Sequence, residues 1–167
     1  MQDARQGSLY VRNIIFGIED SLAATVGLLS GIAAEQVPHE TILLTGFVYI
    51  FVEAFSMGIG SFLSEESAQE YEKKRTMTSK RAALGGLVMF LSCIVGGLVP
   101  ILPYLLLPPE YTLAGSITLS LIALSILGLV HARVSKRRAW PRVVRMVALG
   151  GTAILVGVAV GKLFGIA

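Results

Sequence analysis

The chain has 167 residues, 54% of them hydrophobic and only 15% charged, with a mean hydropathy of +0.72; this excludes an ordinary soluble domain and points to a membrane protein. A net charge of +3, with Lys and Arg gathered between the apolar runs, speaks for membrane orientation rather than nucleic-acid affinity. A lone cysteine, Cys93, excludes an intrachain disulfide framework and reads as a small buried hydrophobe.

Residues 1–13 carry Asp3, Arg5 and Arg12, and no small-residue cleavage site follows the first apolar run, so that run is expected to stay in the mature protein. A helix needs roughly 20 apolar residues to cross the hydrocarbon core. Five runs meet this length, near Ile14 to Ala34, Thr41 to Ser64, Ala82 to Leu107, Thr112 to Ala132 and Val143 to Phe164. The expectation is an all-α integral membrane protein, residues 1–167 forming a single transmembrane domain. Positive charge alternates between the connections: Arg5 and Arg12 precede span one, Lys73, Lys74, Arg75, Lys80 and Arg81 lie between spans two and three, and Arg133, Lys136, Arg137, Arg138, Arg142 and Arg145 lie between spans four and five. The other two connections hold none, which predicts a cytoplasmic N-terminus and an outside C-terminus. Lys162 alone falls on the outer side, where a long side chain can snorkel to the interface.

Span one contains Glu19-Asp20 inside an otherwise apolar run. By insertion scales a charge at a helix centre costs about 2.5–3.5 kcal/mol, so a pair needs a partner, a bound cation or a wet cavity. Span two adds Glu53, with Met57 one turn away on the same face. Asp20 lies six residues into span one, roughly 9 Å, and Met57 seven residues from the inner end of span two, roughly 10 Å, which predicts a shared level with Glu53 about one turn deeper. Neither span holds a Lys or Arg to neutralise these acids. Carboxylates alone suit calcium or magnesium; an added thioether fits a softer first-row ion such as ferrous iron or manganese. Metal needs ionised carboxylates while burial favours the protonated form, so metal and protons compete for one site, the minimum requirement of a metal/proton exchanger. The bland alternative is that the acids are protonated packing residues and Met57 is core filler.

Farther along, Gly27 and Gly31, and Gly157, Gly161 and Gly165, have the spacing that lets helix backbones approach closely, in the same chain or in another. Pro100 and Pro103 predict a kink at the outer end of span three. His39 lies in an outer connection beside Glu35 and Glu40, and His131, at the inner end of span four, is expected to face water or headgroups. Neither has ligand-like spacing to another His or Cys. An odd number of spans excludes a simple equal inverted repeat, and the absence of a Walker-type phosphate loop or nucleophile elbow leaves ATP coupling and serine-hydrolase chemistry without support.

The run from Arg12 to Leu22, followed by Val26-Gly27-Leu28 and Gly31, resembles the first helix of the vacuolar iron transporter family, with its Asp-Gly-Leu core. Phe55 to Ser64 resembles that family's second helix, which carries a Ser-Met-Gly element. The resemblance is specific over spans one and two and general over the rest. It implies a homodimer in which the first helices line a path at the interface, with ferrous iron or manganese leaving the cytosol in exchange for protons, and with Asp20 and Met57 at the metal-path positions. The chain departs from the family pattern in several places. Asp20-Ser21 replaces Asp-Gly, Glu19 stands where an amide is common, Glu53 where a small residue is usual, and Ser61 where a glutamate is frequent. The large cytoplasmic metal-gathering insertion of many relatives is reduced to about twenty residues. Its Glu65, Glu66, Glu70 and Glu72 read as a remnant, in which Glu66 and Glu70 share a face and either capture metal or form a solvated helix end balanced by Lys73 to Arg75.

The expected protein is a non-enzymatic, multi-pass transporter of divalent transition metals, with Asp20 as principal ligand, Glu53 as deeper ligand and proton carrier, Met57 as soft ligand and Glu19 as accessory acid. Asp20 and Glu53 couple protons, the transported ion and protons stand in place of a bound cofactor, and the partners are the bilayer and a second copy. The contrasting reading is a membrane scaffold or accessory subunit whose acids hold a metal or a partner helix without moving it. For a short chain with no targeting extension a prokaryotic plasma membrane is expected, with an intracellular compartment membrane as the alternative.

Overall fold

In the computed structural model, which describes residues 2–35, 37–73 and 80–165, the chain forms five helices: α1 Gln2–Ala33, α2 His39–Lys73, α3 Lys80–Leu106, α4 Pro109–Val134 and α5 Ala139–Phe164. No strand occurs among the described residues. Each helix holds a stretch long and apolar enough to cross a membrane, namely Leu9–Ala33, His39–Tyr71, Lys80–Leu106, Pro109–Val134 and Ala139–Phe164. The protein is therefore all-α and multi-pass.

Two helices outrun the apolar limits read from the sequence: α1 begins at Gln2 rather than near Ile14, and α2 continues past Ser64 to Lys73. Apolarity marks where a helix meets lipid, but backbone hydrogen bonding continues wherever good helix formers follow, as Glu, Ala, Gln and Lys do after Ser64. The starts of α4 and α5 are set by proline, with Pro109 and Pro141 in their first turns, where no intrahelical donor is lost. Pro100 and Pro103 lie inside α3, which nonetheless continues to Leu106. Between α4 and α5 the chain reverses tightly. Lys136 takes a left-handed φ of 49°, and the Lys136 and Arg137 amides donate to the Arg133 and Ala132 carbonyls, a Schellman-type closure at a position usually given to glycine.

Contacts along the helices define the topology. Glu65 opposite Arg81, Gly58 opposite Gly86 and Gly46 opposite Ile101 make α2 and α3 antiparallel. Gly17 against Ser92 and Gly96 against Ile18 make α1 and α3 parallel, as do Gly27 with Ala153 and Gly31 with Gly157 for α1 and α5. The start of α1, the end of α2, the start of α3, the end of α4 and the start of α5 thus meet at one end. That end holds Arg12, Lys80, Arg81, Arg133, Lys136, Arg137, Arg138, Arg142 and Arg145 and is called the basic end below. Lys162 is exposed in the last turn of α5, at the far end.

The interior combines apolar side chains such as Leu22, Val26, Leu29, Ile50 and Leu124 with many small polar ones, and the outer face is apolar too. Asn13, Ser21, Thr25, Ser30, Ser61, Ser92, Thr112, Ser116 and Ser120 are buried, while Leu44, Val48, Phe51, Val52 and Phe55 face outward. In lipid, burying a leucine between helices gains no hydrophobic energy, so close backbone approach and internal hydrogen bonds hold the bundle. Gly27, Gly31, Gly157 and Gly161 form such a seam between α1 and α5 of the same chain; a Cβ on Gly27 would stand 2.7 Å from the Ala153 carbonyl oxygen. The small-residue spacing therefore serves intrachain packing. Gly165, the last glycine of that series, instead abuts the Glu35 side chain. In α3, Gly96 and Gly97 admit α1 and α2 equally closely, since a Cβ on Gly97 would lie 2.6 Å from Ile50 and 2.9 Å from the Ser21 hydroxyl. Ser116 Oγ donates to the Pro100 carbonyl at 2.7 Å and ties α4 to α3.

Candidate functional site

Ser21 and Glu53 meet halfway along α1 and α2. Ser21 Oγ donates to Glu53 Oε2 at 2.6 Å, and Tyr49, one turn before Glu53 on α2, donates its hydroxyl to Oε1 at 2.9 Å. Both carboxylate oxygens are therefore held by neutral hydroxyls, and among the described residues no Lys or Arg pairs with Glu53. Asp20 is half-buried beside Ser21 and lies within electrostatic reach of Glu53, Tyr49 and the Cys93 thiol. The structure thus brings Asp20 and Glu53 together, and adds Tyr49, Ser21 and the buried Cys93 to their surroundings.

The level of Met57 differs from the expectation. Asn13 Nδ2 donates to Ser61 Oγ at 2.8 Å, and this pair lies eight residues from Ser21–Glu53 on both helices, so the α1–α2 register puts Met57 level with Gly17. Met57 stands one turn nearer the basic end than Glu53, and Asp20 shares the level of Glu53 rather than that of Met57. Counting inward from apolar boundaries misplaced it, because neither helix ends at those boundaries. Met57 packs against the buried cluster formed by Ala54, Met89 and Cys93. It lines a cavity of about 600 Å³, with Asn13, Ser61, Ser64, Met89 and Arg12 among its walls.

Glu19 lies on another side of α1. It lines a separate cavity of about 510 Å³ with Arg12, Ser135 and His131, within electrostatic reach of Arg145 and Arg142. Adjacent helical residues point about 100° apart, which sends Asp20 toward α2 and α3 and Glu19 toward α4 and α5. Spans one and two hold no Lys or Arg, but α5 brings a positive field to Glu19. His131 is half-buried, and Arg142 Nη1 donates to its Nε2 at 2.9 Å.

The acidic stretch after Ser64 is part of α2. Glu65 pairs with Arg81 Nε at 2.9 Å and accepts from Gln69 Nε2 at 3.1 Å; Glu66 and Glu70 are half-buried one turn apart. Lys74 and Arg75, expected to balance these acids, lie outside the described residues; Arg81 of α3 provides the observed ion pair. At the far end His39 packs its ring on Tyr104, with centroids 6.0 Å apart. Among the described residues no three of His, Cys, Asp and Glu converge on one metal position.

Sequence reasoning did not single out Tyr49, Asn13 or Met89. For Tyr49 a signal existed, because it precedes Glu53 by four residues on one helix face. For Met89 there was none, because a methionine in an apolar run reads as packing.

Comparison with known proteins places this geometry in context. A model of the VIT family matches residues 11–84 and 76–162. The chain is 22% identical over 203 residues to vacuolar iron transporter 1 of Oryza sativa subsp. japonica, covering 86% of this chain and 81% of the rice protein. It is 28% identical over 146 residues to vacuolar iron transporter homolog 4 of Arabidopsis thaliana, covering 77% and 72%, and 25% identical over 177 residues to homolog 2 of the same plant, covering 98% and 89%. The alignment with the rice protein is longer than this chain of 167 residues, so that relative carries inserted residues that this chain lacks.

Proposed function

The chain belongs to the VIT family, and on that premise we propose that it moves divalent transition-metal ions, ferrous iron or manganese, out of the cytosol in exchange for protons. The observation that carries this reading is the pairing of Asp20 with Glu53 midway along spanning helices, with neutral hydroxyls as the partners of Glu53. Two acids so placed call for a cation or protons. A divalent ion supplies the charge when bound, and protons supply it after the ion leaves.

Asp20 serves as principal ligand, Glu53 as ligand and proton carrier, and Met57 as the soft donor one turn toward the basic end. Glu19 acts as an accessory acid from its own cavity, attracting cations to the basic end rather than touching the ion beside Glu53. Glu66 and Glu70 remain candidates for metal capture on the projecting end of α2. The basic end faces the cytosol under the positive-inside rule. The working unit is a homodimer, since a second copy doubles a donor set in which, among the described residues of one chain, no three ligands converge. Its membrane is a prokaryotic plasma membrane or that of an intracellular compartment, and the ion leaves the cytosol for the far side.

Purified protein in proteoliposomes with an imposed pH gradient provides the test. Ferrous or manganous ions should move in exchange for protons, and Asp20→Ala should reduce that movement to the empty-liposome background. Metal that binds without moving would make the protein a scaffold or accessory subunit. Movement unaffected by Asp20→Ala would remove Asp20 from the path.

A further inference from the structure

We propose that the cavity between α1 and the inner end of α4, with α5 beside it, binds the phosphate of an anionic phospholipid through Arg12 and Arg142. The site stands apart from metal transport and would hold lipid even in a protein that moved no ion. The cavity, of about 510 Å³, has Arg12, His131 and Ser135 among its polar walls and Val11, Phe16 and Val134 among its apolar ones. Arg142 reaches it through His131, whose Nε2 accepts from Arg142 Nη1 at 2.9 Å. A guanidinium only donates, so the ring nitrogen it meets is a neutral acceptor and the arginine's charge stays unmet. Glu65 pairs with Arg81, but among the described residues neither Arg12, Arg142 nor Arg145 forms an ion pair with a carboxylate.

Glu19 also lines this cavity, in the field of Arg145 and Arg142. The register that sets Gly27 against Ala153 and Gly31 against Gly157 puts Glu19 level with Arg145 and Phe16 level with Arg142. Arg142 and Arg12 are therefore rooted about one and two turns nearer the basic end, where a phosphate clears the carboxylate. Three arginines against one carboxylate leave the surroundings positive, and guanidinium forks match phosphate oxygens. The apolar walls separate a lipid from a soluble anion. Val11, Phe16 and Val134 are exposed, so an acyl chain has a surface to lie on below its headgroup. Trp140, exposed in the first turn of α5, marks the interfacial depth that such aromatics favour. Under the positive-inside rule the basic end meets the leaflet with a negative surface, and basic pockets between spanning helices on that side take anionic headgroups.

The test offers the purified full chain equal amounts of phosphatidylglycerol and phosphatidylcholine with matched acyl chains and counts retained lipid by native mass spectrometry. Phosphatidylglycerol should be retained in preference, and Arg12→Gln and Arg142→Gln should each lower the ratio of the two lipids roughly fivefold. Arg137→Gln removes the same charge from an exposed position of the α4–α5 turn, outside the cavity walls, and should leave the ratio unchanged. An equal fall in all three variants would reduce the preference to general attraction by the basic end and overturn the site, as would equal retention of the two lipids by the unaltered protein. Should Arg142→Gln lose its helical circular-dichroism signal, Arg12→Gln, at an exposed position, carries the comparison with Arg137→Gln alone. Competition separates the sources of phosphate: millimolar inorganic phosphate should leave the bound phosphatidylglycerol in place, and its displacement would make this a soluble-anion site and overturn the lipid assignment.

Discussion

Glu19 and Asp20 are neighbours in sequence, yet α1 delivers them to opposite chemical surroundings. On the side of α2 and α3, Asp20 and Glu53 sit among hydroxyls, two methionines and a thiol, with no paired cation among the described residues. On the side of α4 and α5, Glu19 sits in a cavity with His131 and under the field of Arg145 and Arg142. The two sides differ in the charges that neighbouring helices bring to each acid, not in the presence of acids. Glu19 lies in the field of two arginines of α5, while Glu53 holds only neutral donors.

The largest effect should come from making the first side resemble the second. Met57→Lys places an ammonium four residues after Glu53, a spacing at which the two side chains pair. Metal movement in proteoliposomes should cease while the purified protein keeps its helical circular-dichroism signal; persistence of transport would show that an uncompensated carboxylate is not needed. Next, Glu53→Gln should flatten the pH dependence of metal binding. Protons displace the ion as pH falls, so affinity in the unaltered protein rises with pH through the range where the carboxylates ionise, and removal of one competing carboxylate should lower the slope of log Kd against pH by roughly one proton. An unchanged slope in isothermal titration at several pH values would deny Glu53 the proton. A smaller effect is expected from Tyr49→Phe, which removes one of the two hydroxyls orienting Glu53 and should weaken Mn²⁺ affinity roughly tenfold, at the lower end of what outer partners of metal ligands contribute. The smallest belongs to Glu19→Gln, which should lower the transport rate only about twofold and only at low ionic strength, because an entrance charge acts through a screened field. A salt-independent loss as large as that of Asp20→Ala would place Glu19 on the ion itself.

Much of this arrangement was legible before the fold was known. Five apolar runs announce five helices because lipid cannot satisfy an open backbone, and the Glu53 carboxylate is conspicuous because nothing in its own span neutralises it. The level of Met57 was not legible. Helix ends set by polar helix formers, as beyond Ser64, leave no mark in the hydropathy that defines a span. Nor was the partner of the Gly27 and Gly31 pair, since small-residue spacing states that a backbone approaches and not whose it is. Asn13 shows a third kind of limit: an amide near a span boundary looks solvated until Ser61 and Gly85 are brought to it from other helices.

By itself the sequence determined the number of spanning helices, their alternating charge and the three acids that lipid would not tolerate alone, because each depends on local composition and on the energetics of transfer into hydrocarbon. Only the tertiary structure decided which acid found arginines and which found hydroxyls, and that the methionines of α2 and α3 share a cavity with Asn13. Those outcomes depend on rotation about the axis of α1 and on the register of its neighbours, which close glycine contacts between helices set and which local composition does not encode.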